Sequence, residues 1–451
     1  MALTAEQNLI LASVLCCLYL AVKRFAPDLF KRTPQEDRLV KAEKASPLAA
    51  SKPSGPAEYR FPKFDIRHDY DRQALEATKP LPYRPFRWGP VYPQHMAIRS
   101  LSNSANWFQT DNLYAHTLAI RKSRTHDPSL MSSATLPGFH AHALEALCEI
   151  ASFLATRDPQ LFKVKRAKYD PSKPETFGDS IVGKEAGAVI AVENVVTGDK
   201  FDFAEIEARD GKDWNPMKYA GMLTQDDLAL MVEDSQGHYR LQGGSICTAG
   251  FWRLQDKAGM TLDEIHFHGA VPNYAAKYQK SMNKFFTNMK EDKMVERNNF
   301  FFQIDDQLSW SVKTNGTEKI FDQFNKGPMA GELEKTPGAT APQDATDVNQ
   351  VYFRCERQTL RRLPKHRSIL FTVRTYLQPC VDLADEPGVP GRMASAIRSF
   401  PTEDRGVHWY KATGAFEHVL LPYLDAKHDE QVTAGVVQLD EKGMTESQYP
   451  W

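Results

Sequence analysis

Short apolar runs of strand character are scattered along the chain without strict alternation with helical segments, and that order restricts the fold more than any single motif. The runs fall at residues 188–195, 239–247, 299–304, 310–312 and 369–376. Helical spacing occupies other stretches. Leu144, Leu147, Cys148, Ala151 and Leu154 recur three and four residues apart within 143–154, so they share one face. Residues 224–233 read as a second helix, capped by Thr224, with Asp226 and Asp227 in a first turn where the helix dipole favours negative charge. Residues 270–289 read as a third, with Tyr274, Tyr278, Met282, Phe285 and Phe286 on one side. A parallel sheet needs a crossover helix between successive strands, and this order does not supply them. The pattern predicts an α+β fold with a mainly antiparallel sheet and flanking helices.

Hydrophobic residues make up 42% of the chain and aromatic residues 11%, enough to bury a large core and to exclude wholesale disorder. Lys plus Arg number 56 against 57 Asp plus Glu, so no charge excess points to nucleic acid or to a cationic macromolecule. Cys16, Cys17, Cys148, Cys247, Cys355 and Cys380 form no C-x-x-C pair, which disfavours a zinc ribbon or a self-contained iron–sulfur site. The scatter suits core thiols in a reducing compartment.

Residues 9–22 (LILASVLCCLYLAV) carry no charge. The run is shorter than the roughly 17–25 residues of a full span. Glu6 precedes it, and Lys23, Arg24, Lys31 and Arg32 follow, the reverse of a signal peptide. The expectation is an uncleaved anchor with its basic flank over 1–32 and a cytosolic C-terminal part, with a thin membrane such as the endoplasmic reticulum the suitable setting. Residues 33–58 are rich in Pro, Ser, Ala and Lys and read as a flexible linker. The main domain is expected over 59–425, with a surface insertion at 326–348 and an acidic polar tail at 426–451. Asn315-Gly316-Thr317 is a formal glycosylation sequon, but Asn-Gly predicts a hairpin turn there.

Gly178-Asp-Ser-Ile-Val-Gly183-Lys184 imitates a phosphate-binding loop. Glu185 stands where the hydroxyl residue should, and no buried strand leads in, so the match reads as chance. Neither a G-x-G-x-x-G nor a G-x-S-x-G motif is found.

The segment from Asp263 to Tyr274 (DEIHFHGAVPNY) carries the most chemistry. If extended, it turns His266 and His268 to one face and Ile265 and Phe267 to the other. Gly269-Ala270 would then permit close approach of a planar group, and Val271-Pro272 would end the extended part. Spacing alone leaves three readings open: an axial haem ligand, a non-haem H-x-H metal site, or ordinary polar residues at a sheet edge. Downstream, Arg354, Arg357, Arg361 and Arg362 make a dense guanidinium cluster ahead of a strand-like run, and Arg297 stands alone upstream. Arginine forks match carboxylates, so these residues are either propionate holders or surface charge. A cationic amine substrate would need a carboxylate or aromatic wall, for which Glu356, Asp305 and Trp310 are candidates.

Several motifs occur in one order. Arg84-Pro85-Phe86-Arg87-Trp88-Gly89 precedes Met96, and Trp107-Phe-Gln-Thr-Asp111-Asn-Leu-Tyr114 precedes Arg121. Gln225-Asp226-Asp227-Leu228-Ala-Leu230-Met231 and Tyr239-Arg-Leu241 come before Gly243-Gly244. Trp252, Lys257 and Gly259 lead into Phe267-His268-Gly-Ala-Val271-Pro272, then Arg297-Asn298-Asn299, Arg354-Cys-Glu356-Arg357-Gln358-Thr359-Leu360 and Leu363-Pro364. Over roughly residues 80–425 this resembles the α-subunit family of haem-dependent oxidative N-demethylases, most closely its fungal branch. The resemblance implies a PAS-like haem-binding domain and oxidative removal of a methyl group from a small secondary amine, with dioxygen and electrons from a separate reductase. The family's I-H-x-P-V-P pattern falls on residues 267–272 and selects His268 as the axial metal ligand, with Arg297 or Arg357 holding a propionate. Here Phe267 replaces Ile and Ala270 replaces the first Pro, and the usual Pro-Ser before Trp252 is missing. A non-catalytic haem sensor or carrier and a non-haem H-x-H metalloprotein are the alternatives.

Overall fold

The computed structural model describes residues 59–440, apart from 93–94, 173–176 and 212–213. The apolar run at 9–22, the linker at 33–58 and the last eleven residues lie outside the described residues. Among the described residues, no helix is long and apolar enough to cross a membrane.

Twelve strands are formed among the described residues. The first six are β1 (Arg99–Ser100), β2 (Ser133–Thr135), β3 (Phe162–Arg166), β4 (Val189–Asn194), β5 (Asp199–Asp202) and β6 (Asp227–Glu233). The others are β7 (Tyr239–Ser245), β8 (Val295–Gln303), β9 (Phe321–Asp322), β10 (Gly327–Pro328), β11 (Tyr352–Arg362) and β12 (Ile369–Pro379). Seven make the main sheet in the order β1-β8-β11-β12-β6-β7-β2, and every neighbouring pair is antiparallel. β3, β4 and β5 form a second antiparallel sheet, and β9 and β10 a small hairpin. The α+β, mainly antiparallel expectation holds.

The alternation of side chains gives the main sheet two chemically different faces. On β11, Glu356, Gln358 and Leu360 face one way and Cys355, Arg357, Thr359 and Arg361 the other. The second face is covered by the helix His140–Arg157 and by the segment leading into the helix Tyr114–His126, which deliver partners for its buried charges. Arg361 donates to Glu149 (2.7 Å), and Arg374 to Asp111 (2.9 Å). Further along the chain, the helices Val389–Arg398 and Glu417–Thr433 close a cluster around Phe300, Phe302 and Phe353. The last of these helices runs straight through residue 425, and Gln431 near its end is buried.

Four local expectations are corrected. Residues 224–233 contain strand β6, not a helix. Leu228 and Leu230 (0% exposed) and Ala229 and Met231 (6% and 4%) are buried on opposite faces, so the run shows no two-residue alternation and mimics a helix core. Asp226 and Asp227 therefore sit in the core, not at a helix start. Residues 310–312 make a single bridge, Gly250 to Trp310, and pass into the short helix Val312–Asn315. Gly316, at φ +77°, ends that helix where a hairpin turn was expected. Residues 270–289 are not one helix. Ala270 and Asn273 adopt positive φ (50° and 58°), a π-helical turn spans Tyr274–Tyr278, and the α-helix proper is Gln279–Asn288. Arg362 ties its C-terminal end to the sheet by donating to Met289 O (2.6 Å).

Gly178 of the phosphate-loop imitation packs so closely against Ser152 and Cys148 of the His140–Arg157 helix that a side chain there would clash, a packing reason for the glycine. Among the described residues, Cys148, Cys247, Cys355 and Cys380 are all free and buried, as core thiols.

Asp226 gives the fold a measurable pH signature. It is 0% exposed, both carboxylate oxygens lack a hydrogen-bond partner, and burial pushes its carboxyl up to about 6 against the pull of Arg374, Arg357 and Arg121. A carboxyl raised in the folded state binds its proton more tightly there than when unfolded, so stability falls as pH rises from about 4 to 6. The full cost, on the order of 2–3 kcal/mol, is present above that window. Asp226→Asn should flatten this slope and gain stability at neutral pH. Urea midpoints of the two proteins between pH 4 and 7 check this, and parallel curves would contradict it.

Candidate functional site

The first face of the main sheet is the floor of a cavity of about 300 Å³. Five adjacent strands supply it through alternate residues: Arg297, Asn299 and Phe301 on β8; Glu356, Gln358 and Leu360 on β11; Phe371 and Val373 on β12; Ala229 and Met231 on β6; Leu241 on β7. Their register puts Glu356 beside Asn299 and Gln358 beside Arg297. The roof comes from Leu262, Ile265, His266 and Gly269, then Tyr274, Tyr278, Met282, Phe285 and Phe286. Tyr92, Phe251, Trp252, Tyr410 and Lys411 complete the walls. The result is a largely aromatic pocket with a few polar groups, the usual constitution of a cofactor site.

The histidine segment is helical, not extended. Thr261 accepts from Glu264 N (3.2 Å) and Glu264 accepts from Thr261 N (2.7 Å), a reciprocal capping box that starts the helix Leu262–His268. Residues two apart on a helix do not share a face. His266 lines the cavity, and His268, the helix's last residue, is not among the lining residues. His266 Nδ1 lies 2.7 Å from Leu262 O. A carbonyl only accepts, so Nδ1 carries the proton and Nε2 keeps its lone pair. Burial holds the imidazole down to about 4, with Lys257 and Arg297 adding to the effect, so the ring is neutral at neutral pH. Its plane is fixed by stacking on Tyr274 (4.5 Å between centroids, 9° between planes). Tyr274 donates in turn to Asp263 (2.6 Å). Neutral, oriented and with one free nitrogen, His266 has the features of a metal-ligating histidine.

The charged groups are unevenly supplied. Lys257, Arg297 and Lys411 line the cavity against a single carboxylate, Glu356. Lys326, from the turn joining β9 and β10, lies over the wall residues Phe251 and Tyr410 (5.1 and 4.5 Å). Burial pulls Lys257 down to about 8 and Lys411 to about 7, pulls Lys326 well below its ordinary value, and raises Glu356. Lys411 donates to Phe300 O. Among the described residues Arg297 forms no ion pair, and its buried Nε has no hydrogen-bond partner.

The candidates named from sequence therefore separate. Arg297 and Glu356 reach the cavity. Arg357 lies on the opposite face of the sheet, where it donates to Glu296 (3.0 Å) and Asn106 O (2.6 Å). Asp305 accepts from the loop at Gln307 and Lys313, and Trp310 donates to Gly316 O (2.9 Å); neither lines the cavity. Lys326 and Lys411 carried no local signal, because only the tertiary fold brings them here. Among the described residues no group of three or more His, Cys, Asp or Glu comes together to hold a metal ion, so an H-x-H site lacks its further ligands.

The chain matches the haem-dependent oxidative N-demethylase, alpha subunit-like family over residues 97–421. That span takes in every strand of the main sheet and the roof of the cavity. On this match over well more than half its length, the protein belongs to the haem-dependent oxidative N-demethylase, alpha subunit-like family.

Proposed function

We propose that this protein is a haem-dependent oxidoreductase that removes a methyl group from an N-methylated amine. The single observation that carries the reading is His266, a neutral imidazole with a free Nε2 on an aromatic cavity that also holds an unpaired arginine. The residues present fit the group. A haem needs an unprotonated nitrogen ligand, apolar walls, and cations for two carboxylates. His266 Nε2 meets the first need, and Phe251, Phe301 and Phe285 are among the walls. Arg297 and Lys411 would take the propionates. Bound haem would supply the redox iron at which dioxygen and electrons are brought to the substrate.

The chain's own contribution is positional. Leu262 O fixes the tautomer and tilt of His266, Tyr274 stops the ring from rotating, and Asp263 braces Tyr274. The aromatic walls keep water from the reacting methyl group. Demethylation takes an N–CH3 amine, dioxygen, two electrons and two protons to an N–H amine, formaldehyde and water. The two electrons come from a separate reductase. A PAS-like domain fits the antiparallel sheet with a cofactor on one face, and the run at 9–22 would tether it to a membrane from the cytosolic side.

The test uses the full chain expressed with haem supply. An intense Soret band, and formaldehyde formed from an N-methyl amine only when NAD(P)H and a reductase are present, are the expected results. A folded protein that takes up no haem would overturn the reading. Haem uptake without product, together with gas binding that alters partner affinity, would replace the enzyme by a sensor.

A further inference from the structure

Two groups of opposite charge line the cavity, and neither is well paired: Lys257 has no ion pair among the described residues, and Glu356 has only a long one, to Arg354. Lys257 is 8% exposed, and its ammonium packs on the Trp252 ring (4.6 Å) with no hydrogen bond or ion pair among the described residues. Glu356 is 4% exposed; it accepts one hydrogen bond, from Gln358 (3.1 Å), and Arg354 Nε stands 3.9 Å from its other oxygen. The two line the same cavity, yet they form no ion pair with each other among the described residues. Buried charges left apart in this way are costly unless something joins them. A ligand carrying both charges, seated between them, removes both costs. A ligand with a positive charge alone satisfies only Glu356 and adds to a cavity that already holds Lys257, Arg297 and Lys411. Haem propionates on Arg297 and Lys411 would still leave Lys257 without an anion.

We infer that the substrate is a zwitterion, an N-methylated amine that also bears a carboxylate, with Lys257 binding the carboxylate and Glu356 the ammonium. This rests on the demethylase reading of the same cavity and narrows it, since a bare dialkylamine lacks the acidic group. Trp252, itself a lining residue, holds the Lys257 ammonium against its ring, which reduces the ordering needed when the acid arrives.

The test is calorimetric titration of the full chain with N-methylglycine and with dimethylamine, in haem-loaded and haem-free protein, with absorbance recording haem uptake separately. N-methylglycine should bind about tenfold or more tightly than dimethylamine, as a charge-assisted contact in a buried site allows. Lys257→Met should collapse that ratio towards one, and Lys257→Arg should preserve it. Dimethylamine binding as tightly as N-methylglycine, a ratio unmoved in Lys257→Met, or no binding of either probe would overturn the inference. Should Lys257→Met fail to fold, the wild-type ranking and Lys257→Arg decide it. Failure of the haem reading shows separately, as a missing Soret band, and the ranking of the two probes in the haem-free protein still decides the ligand class.

Discussion

Haem-loaded protein carrying His266→Ala should lose its Soret band or show it strongly shifted, whereas His268→Ala should leave the band in place. The two histidines sit two residues apart on one helix, and only His266 lines the cavity. Its proton is held at Nδ1 by Leu262 O (2.7 Å), so the nitrogen left over is the one a metal requires. Ile265-His266 also supplies an Ile-His pair two residues before the Phe267-His268 pair that aligns with the family's pattern. Partners that merely orient a metal-binding histidine are worth roughly 10–100-fold in metal affinity. Deleting the ligand should cost more than about a hundredfold by the same scale. Added imidazole should restore the band in His266→Ala by entering the vacated space. Haem retained in His266→Ala and lost in His268→Ala would instead assign the ligand to His268 and require the helix to turn.

The same twelve residues show how far the chain could be read in advance. Their chemistry was legible from the two histidines and the small residues after them. Their geometry turned on Thr261 and Glu264, whose reciprocal caps start a helix and so break the pairing of His266 with His268 that an extended segment would give. β7, β8 and β12 were legible because apolar and polar residues alternate or cluster in short runs bounded by breakers. β6 was not, because both of its faces are buried and a continuous apolar run fits a helix as well as a strand. Arg357 and Glu356 are adjacent in sequence and lie on opposite faces of β11, a distinction that depends on which face of the sheet carries the cavity. Lys326 and Lys411 come from a hairpin turn and from the loop after the Val407–Tyr410 helix. No local pattern marks either, since their function depends on which distant rings they meet.

Asp227→Ala should lower the unfolding free energy by about 3–5 kcal/mol, the cost of stranding a buried partner charge. Domains of ordinary stability hold only about 5–15 kcal/mol in all, so the variant should lie close to the folding threshold. Asp227 is 1% exposed and accepts from Arg121 Nη1 (2.6 Å), Cys247 N (2.7 Å) and Thr248 N (3.0 Å). Arg121, at 0% exposure, spends its remaining donors on Gly221 O (2.7 Å) and Ser245 Oγ (3.0 Å). The pair therefore joins the Tyr114–His126 helix to the start of β6 and to the end of β7, and removing the carboxylate leaves two backbone N–H groups without an acceptor and a buried guanidinium without its counter-charge. Glu76→Ala provides the contrast. Its pair with Arg72 is exposed on one helix and should be worth no more than about 0.5 kcal/mol. Replacing both buried partners together, Arg121→Met with Asp227→Leu, should recover much of the loss, because no charge is then stranded. Urea unfolding of the four proteins measures these differences. A drop below about 1 kcal/mol for Asp227→Ala would mean that water reaches Arg121 in the folded state, and that the junction of the Tyr114–His126 helix with β6 and β7 is not sealed.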